Sequence, residues 1–301
     1  MTRRALVAAA AIAALSCGSE PRVNLDFSRR EAAPRPDAAR EASLRIAIGA
    51  MISPEGTYRS YAGLAAFVAR HAGRRPRIVQ RRTYAELNRL LVDGEVDVAL
   101  ICTGAYVAVR DRVQFLAAPV VAGSATYRSL VVVRRGGATT MSALRGKRFA
   151  FTDELSNTGR VFPEQRVRRV FGMAPADFFS EVVFSGGHDE SIGLVLDGVV
   201  DGAAVDSLVL QSYRRAHSAG AAELDVIDRS RPFGTPPFVA RGDLDPALTE
   251  RIRAALLALG RDPESRAMLE PTGIEGFTTD VDYTSAIEAA QGILPTRDVV
   301  P

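Results

Sequence analysis

The sequence predicts an α/β protein of two lobes, each a mostly parallel β-sheet flanked by helices, with two strands crossing between them. Three observations predict it. Short apolar runs alternate with helical patterns from residue 44 to residue 217, the signature of successive βαβ units. Several of those runs are continuously apolar, as in strands covered on both faces. Two Ser/Gly-rich phrases and one carboxylate follow successive strands, and open α/β sheets bind ligands at strand C-termini.

The elements follow in order. Residues 44–48, Leu-Arg-Ile-Ala-Ile, read as the first strand. Residues 54–71 read as a helix, with Leu64, Phe67 and Val68 at helical spacing. Residues 76–82 form a second strand. Residues 84–93 form a helix closed by Gly94, a common stop signal. Residues 96–101 are a continuous apolar strand. Residues 129–134 read as a strand leaving the first lobe. A second series follows: strand 148–152, helix 159–171, strand 181–184, helix 188–196, strand 202–205, helix 207–217 and strand 225–228. Right-handed crossovers are expected throughout. Pro236-Pro-Phe-Val-Ala240 returns to the first lobe, where helices 246–259 and 263–269 pack. The expected organisation is therefore 44–126 with 236–301 as one lobe and 127–235 as the other. No internal repeat of fixed period is present.

The N-terminus is different in kind. Residues 1–17 read as an export signal: Arg3 and Arg4, an apolar stretch from Ala5 to Leu15, then small residues before Cys17. The apolar stretch is too short to span a bilayer, which takes about 20 residues. Ala14-Leu-Ser-Cys17 resembles a bacterial lipoprotein cleavage box, which implies lipidation of Cys17; Ala14 stands where Leu is usual. Residues 18–43 are rich in Pro, Ala, Glu, Asp and Arg and read as a disordered tether. No later segment is long and apolar enough to span a membrane.

Composition excludes some classes. The net charge is +3, and 47% of residues are hydrophobic, ample for a core. Lys147 is the only Lys, and basic and acidic residues are interspersed, so no nucleic-acid stripe is present. Arg166, Arg168 and Arg169 fall on a predicted helix and read as a solvated face. There is no phosphate-loop Gly-Lys-Ser/Thr and no nucleophile–base–orienter set, so an enzyme is not expected. With only three His, none at ligand spacing, neither a metal nor a cofactor is expected. Once Cys17 is set aside, Cys102 stands alone and no intrachain disulfide can form.

The chemistry-bearing phrases are Phe151-Thr-Asp-Glu-Leu-Ser-Asn-Thr-Gly159, Ser185-Gly-Gly-His-Asp-Glu-Ser-Ile192 and Asp201-Gly-Ala-Ala-Val-Asp206. In the first, a strand runs into Ser156, Asn157 and Thr158 before a helix, a turn that aims N–H groups and hydroxyls at one spot and suits an anion. In the second, His188 opens a helix after Gly-Gly and can donate to an oxyanion. In the third, Asp206 ends a buried strand; it can accept from a ligand hydroxyl or amine, or cap the next helix.

These phrases resemble the periplasmic solute-binding proteins for phosphonate, phosphite and phosphate. Further matching phrases are Val96-Asp-Val-Ala99 before Tyr106, Tyr127-Arg-Ser129 opening an apolar strand, Leu144-Arg-Gly-Lys-Arg-Phe-Ala150 and Asp280-Val-Asp-Tyr283. The likeness extends over residues 44–283. It implies the two-lobed, type II periplasmic binding protein fold and a small oxyanion ligand gripped by lobe closure. It also implies an ABC permease as partner, a periplasmic location and ligand contacts from Ser156, Asn157, Thr158, His188, Tyr127 and Ser129. Tyr58 or Tyr61, after the first strand, closes the pocket. Cys102 and Thr103 stand where the family commonly has Gly-Pro, and with Tyr106 they follow the strand whose end faces the cleft. Cys102 is similar to a cleft Cys of arsenite-sensing members, which implies the alternative of a sensor docking on a histidine kinase ectodomain. A buried Cys acting as a small hydrophobe is the structural alternative.

Overall fold

The computed structural model describes residues 42–49 and 54–294. The export signal, Cys17 and all but the last two residues of the tether lie outside the described residues. Among the described residues, no helix is long and apolar enough to cross a membrane.

The first sheet has six strands in the order β13-β4-β12-β3-β1-β2. Its parallel part is β1 (Ser43–Ile48) between β2 (Arg75–Val79) and β3 (Val98–Leu100). On the other side of β3, β12 (Phe238–Arg241) runs antiparallel, followed by β4 (Val113–Val120) and β13 (Gly276–Thr278). The second sheet has the order β10-β6-β9-β7-β8. Here β7 (Arg148–Phe151) pairs in parallel with β8 (Glu181–Phe184) and β9 (Gly202–Asp206). β6 (Ser129–Arg134) and β10 (Leu224–Arg229) are the antiparallel additions. Each lobe thus has a parallel trio beside a strand that arrives from the other lobe.

Both sheets are covered on both faces, as their continuous apolar strands require. Leu64 and Val68 of the Pro54–His71 helix and Ile252 and Leu256 of the Pro246–Ala258 helix cover one face of the first sheet. Tyr84, Leu87 and Leu91 of the Tyr84–Val92 helix cover the other, with Ala105 and Val109. The Tyr84–Val92 helix starts with a complete capping box, Thr83 with Glu86, as its sequence dictates. In the second lobe, Ile192 and Val195 pack on one face and Val167 and Phe178 on the other. β1 and β3 are also locked by charge. Arg45 donates to Asp97 from its backbone N (2.8 Å) and its Nε (2.9 Å). Burial works to raise the Asp97 pKa, but the bonds from Arg45 hold it below the usual carboxylate range. The Asp of Val96-Asp-Val-Ala99 is therefore structural.

The lobes cross at β5 (Thr126–Tyr127) and β11 (Phe233–Gly234), which pair antiparallel as a two-stranded hinge. The strands that the sequence marks as crossing, 129–134 and 236–240, are the next elements on. One lies inside the second sheet and the other inside the first. The sequence pattern also passed over β4, β13 and the helices Thr103–Val109 and Thr284–Ala290. The reason is local propensity. β4 carries Gln114, Ala117, Ala118 and Pro119, poor strand formers. The Thr103–Val109 helix contains Gly104 and two Val, and burial rather than propensity holds it.

Candidate functional site

The C-terminal ends of β3, β7 and β9 and the start of β6 converge between the lobes. After β7 the chain passes Thr152 and Asp153 and enters a buried turn at Ser156, Asn157 and Thr158. Ser156 Oγ accepts from the Gly159 backbone N (3.0 Å), an N-cap that opens a wide helical turn, Asn157–Val161, before the Phe162–Phe171 helix. Gly159 is required by packing: a Cβ there would stand 2.2 Å from Thr152 Oγ1. Ser129 Oγ donates to the Thr158 carbonyl (2.6 Å), so its proton is spent on holding the turn. Ser129 positions this turn instead of reaching out with its own hydrogen. Thr158 Oγ1 and Asn157 Oδ1 are buried without a hydrogen-bond partner among the described residues. A buried polar atom left unpaired costs about 1–3 kcal/mol, so these two atoms are open to a partner from outside the described residues.

His188 opens the His188–Leu196 helix beside the turn. Its Nδ1 accepts from the Asp206 backbone N (3.1 Å) and lies 3.1 Å from Thr152 Oγ1. Burial lowers its pKa to about 4, against a smaller opposing effect of Asp189. The ring is therefore neutral, its proton is on Nε2, and it acts as a donor through that atom alone. Asp206 Oδ1 accepts from Leu208 N (2.7 Å) and Val209 N (3.4 Å), capping the Ser207–Ala216 helix. Burial nonetheless raises its pKa to about 7, against the pull of those two N–H groups. Asp206 is thus both a cap and a buried carboxyl poised to gain or lose a proton.

The first lobe brings Cys102, Thr103, Tyr61 and Tyr84 against this surface, and hinge strand β5 brings Tyr127. Cys102 is buried just past the end of β3. Burial pushes its thiol up to about 11, opposed by the nearby backbone N–H groups of Asn157 and Gly104 and reinforced by Asp206 and Asp153. Thr103 Oγ1 donates to Gly234 O (2.9 Å) of the hinge. Asn157 Nδ2 donates to the Tyr127 hydroxyl (3.4 Å), and burial holds that hydroxyl well above its ordinary pKa. Tyr84 N donates to Asp153 Oδ2 (3.1 Å) across the lobes. Tyr61, 9% exposed, lines a cavity of about 110 Å³ between the lobes together with Thr57, Ser60 and Asp206. Burial, then Asp206, pushes the Tyr61 hydroxyl up. Among the described residues, the buried polar side chains of this cleft include no Lys or Arg, so its buried donors are neutral; Arg215 lines the cavity from an exposed position.

Two residues from the sequence reading stand apart. Tyr58 is 56% exposed and lines none of this cavity, so of the two tyrosines Tyr61 is the one in the cleft. Tyr106 belongs to an aromatic cluster with Tyr283 (4.9 Å between ring centres) and Phe115 (6.3 Å). Sequence reasoning passed over Thr152, Asp153, Tyr84 and Gly104. Thr152 and Asp153 sit inside a phrase that it had already singled out, whereas Tyr84 and Gly104 carry no local signal.

Two α/β lobes on a paired-strand hinge, closed over a buried polar cleft at the strand ends, define a solute-binding protein of the two-lobed type. The family whose profile matches residues 46–283 is the "ABC transporter, phosphonate, periplasmic substrate-binding protein" family, and the chain belongs to it. It is accordingly a periplasmic binding component of ABC transport and not an enzyme. It is similar to the phosphate-import protein PhnD of Mycolicibacterium smegmatis, 23% identical over 252 residues, 79% of this chain and 76% of that one. The fold matches a binding protein component of an ABC phosphonate transporter from Pseudomonas aeruginosa with a TM-score of 0.76 at 18% identity, covering 83% of this chain and 84% of the other. It also matches PhnD1 from Prochlorococcus marinus in complex with methylphosphonate, TM-score 0.74 at 16% identity, covering 83% and 97% of the two chains.

Proposed function

We propose that this protein is a lipid-anchored carrier, held to the membrane through Cys17, that binds a small phosphorus oxyanion and delivers it to an ABC permease. Phosphonate, phosphite and phosphate are the candidate ligands. The observation that carries this reading is the unpartnered Thr158 Oγ1 in a fully buried turn, beside the Nε2 donor of His188 and the hydroxyl of Tyr127. Asp206 adds selectivity. At pH 8, where the Asp206 carboxyl is mostly ionised, it accepts a hydrogen bond from the P–OH of a singly protonated phosphorus oxyanion, and sulfate has no such proton to offer.

Thermal unfolding at pH 8 with phosphate, phosphite, methylphosphonate, sulfate and arsenite, each added separately, tests this. A ligand at about 100 times its dissociation constant adds roughly 2.7 kcal/mol of stability. The expected result is a rise in Tm with a phosphorus oxyanion and none with sulfate. Equal shifts with sulfate would refute the hydrogen bond to Asp206. Thr158→Val, which keeps shape and removes the hydroxyl, should weaken the ligand by about tenfold. An unchanged dissociation constant by calorimetry would remove Thr158 from the contact set.

The second reading is an arsenite sensor that signals to a histidine kinase ectodomain, favoured by the position of Cys102 between the lobes. The raised pKa of that thiol counts against it. A shift with arsenite alone, lost in Cys102→Ser, would establish the sensor. A shift with a phosphorus oxyanion that survives Cys102→Ser is the expected result and makes Cys102 structural.

A further inference from the structure

The Phe162–Phe171 helix does more than follow the binding turn. Its Arg160 and Arg168 neighbours are spent on Glu164, at 2.9 Å and 2.8 Å. Arg166 and Arg169 point elsewhere, into a concave pocket of about 430 Å³ whose other wall carries Arg229 and Arg231. This volume lies within the range of about 300–1,000 Å³ typical of small-molecule sites. All four guanidiniums belong to exposed residues. Arg166 pairs with Asp228 (3.0 Å) and Arg231 with Glu288. Arg169 and Arg229 have no ion pair among the described residues, so the pocket carries an excess of two positive charges.

Apolar residues share the lining: Phe162 packs edge-on against Phe233 (5.8 Å between ring centres), with Ala289 and the exposed Val170 beside them. The pocket is also composite. Phe162 to Val170 come from the second lobe, Phe233 from hinge strand β11, and Ala289 from the Thr284–Ala290 helix beside the first lobe. Gln165 Nε2 donates to Glu288 O (3.1 Å) at the same seam. None of these residues belongs to the oxyanion cleft.

The geometry points to a second anion site on the outside of the hinge, selective for a multiply charged, phosphate-bearing small molecule of the di- or triphosphate class. Planar guanidiniums bind phosphate oxygens two at a time, and four of them around one concavity match several phosphates better than a single small oxyanion. Arg166, Arg168 and Arg169 are all exposed on a solvated face; what sets Arg166 and Arg169 apart is that they line this pocket while Arg168 pairs with Glu164.

Inorganic tripolyphosphate is the probe, titrated calorimetrically into the purified protein at 0.05 and 0.15 M NaCl. The expected result is saturable one-to-one binding that weakens with salt. The double variant Arg169→Ala/Arg229→Ala should lose about tenfold or more in affinity. Thr158→Ala, in the cleft, should leave tripolyphosphate binding unchanged. The two single Arg variants give the same reading, with smaller losses, should the double variant fold poorly. Absence of saturable binding, equal affinity in the Arg variants, or loss of binding in Thr158→Ala would each overturn the proposal.

Discussion

Replacing Gly104 by Ala should weaken ligand binding by about a hundredfold while leaving both lobes folded. A Cβ at this position would stand 2.2 Å from the Leu155 carbonyl oxygen and 2.9 Å from Asn157 N. Both of these are backbone atoms of the other lobe, so no side chain can rotate out of the way. Gly104 serves here for close approach, not for an unusual φ. Overpacking of this kind costs about 1–3 kcal/mol, and the whole cost falls on the arrangement in which the lobes touch. At the upper end, that shifts the population of the binding-competent state about a hundredfold. Calorimetry with the best ligand of the thermal panel measures the effect, and small-angle scattering reports whether the lobes still close. An unchanged dissociation constant would mean that the liganded lobes do not approach as closely as they do here.

Asp206→Asn should raise stability at pH 8 and flatten the pH dependence of binding. Asn keeps the cap, since its Oδ1 can still accept from Leu208 N and Val209 N, while the charge is removed. The folded protein holds the Asp206 proton up to about pH 7, whereas the unfolded chain releases it near 3.8. Between those values the folded state binds more protons, so this group's contribution to stability falls as pH rises. Above about pH 7 the cost is complete, up to roughly 4 kcal/mol. The difference in unfolding free energy between variant and parent should therefore be small at pH 4 and largest at pH 8. Urea titrations at the two pH values give it directly. Ligand affinity of the parent should fall as pH rises above about 7, because binding then draws a proton from solution. The variant should lack that fall. Parallel pH profiles for the two proteins would show that Asp206 takes no part in the proton balance.

These two residues illustrate what each level of information carries. Asp206 was legible because it ends a buried strand in an α/β pattern, where ligand-facing groups collect. Its capping role was legible as one of two alternatives, because the cap is made to N–H groups two and three residues on; its elevated pKa was not, since that depends on how completely the fold buries it. Gly104 was not legible at all. Its significance is a distance to Leu155, a residue 51 positions on, and no local pattern encodes that distance. Tyr58 and Tyr61 made the same point in miniature. Three residues apart on one helix, they looked equivalent in sequence, and only the tertiary structure distinguishes them: Tyr61 packs with the first lobe's core and lines the cavity with Asp206, while Tyr58 stays exposed.

The sequence by itself determined the two-lobed α/β architecture, through continuous apolar strands alternating with amphipathic helices. It also determined the ends of most elements through Gly stops and capping residues, and the concentration of polar groups on three phrases. Such signals are local, set by backbone geometry and by which face a residue must bury. Tertiary structure alone decided which strands form the hinge, because β5 and β11 are two-residue segments with no periodicity to read. It made Ser129 a support for the turn and left Thr158 unpartnered, since hydrogen bonds between distant residues exist only once the sheets are assembled. It also gathered Arg166, Arg169, Arg229 and Arg231 around one pocket, because charges 60 or so positions apart meet only when a hinge folds the chain back on itself.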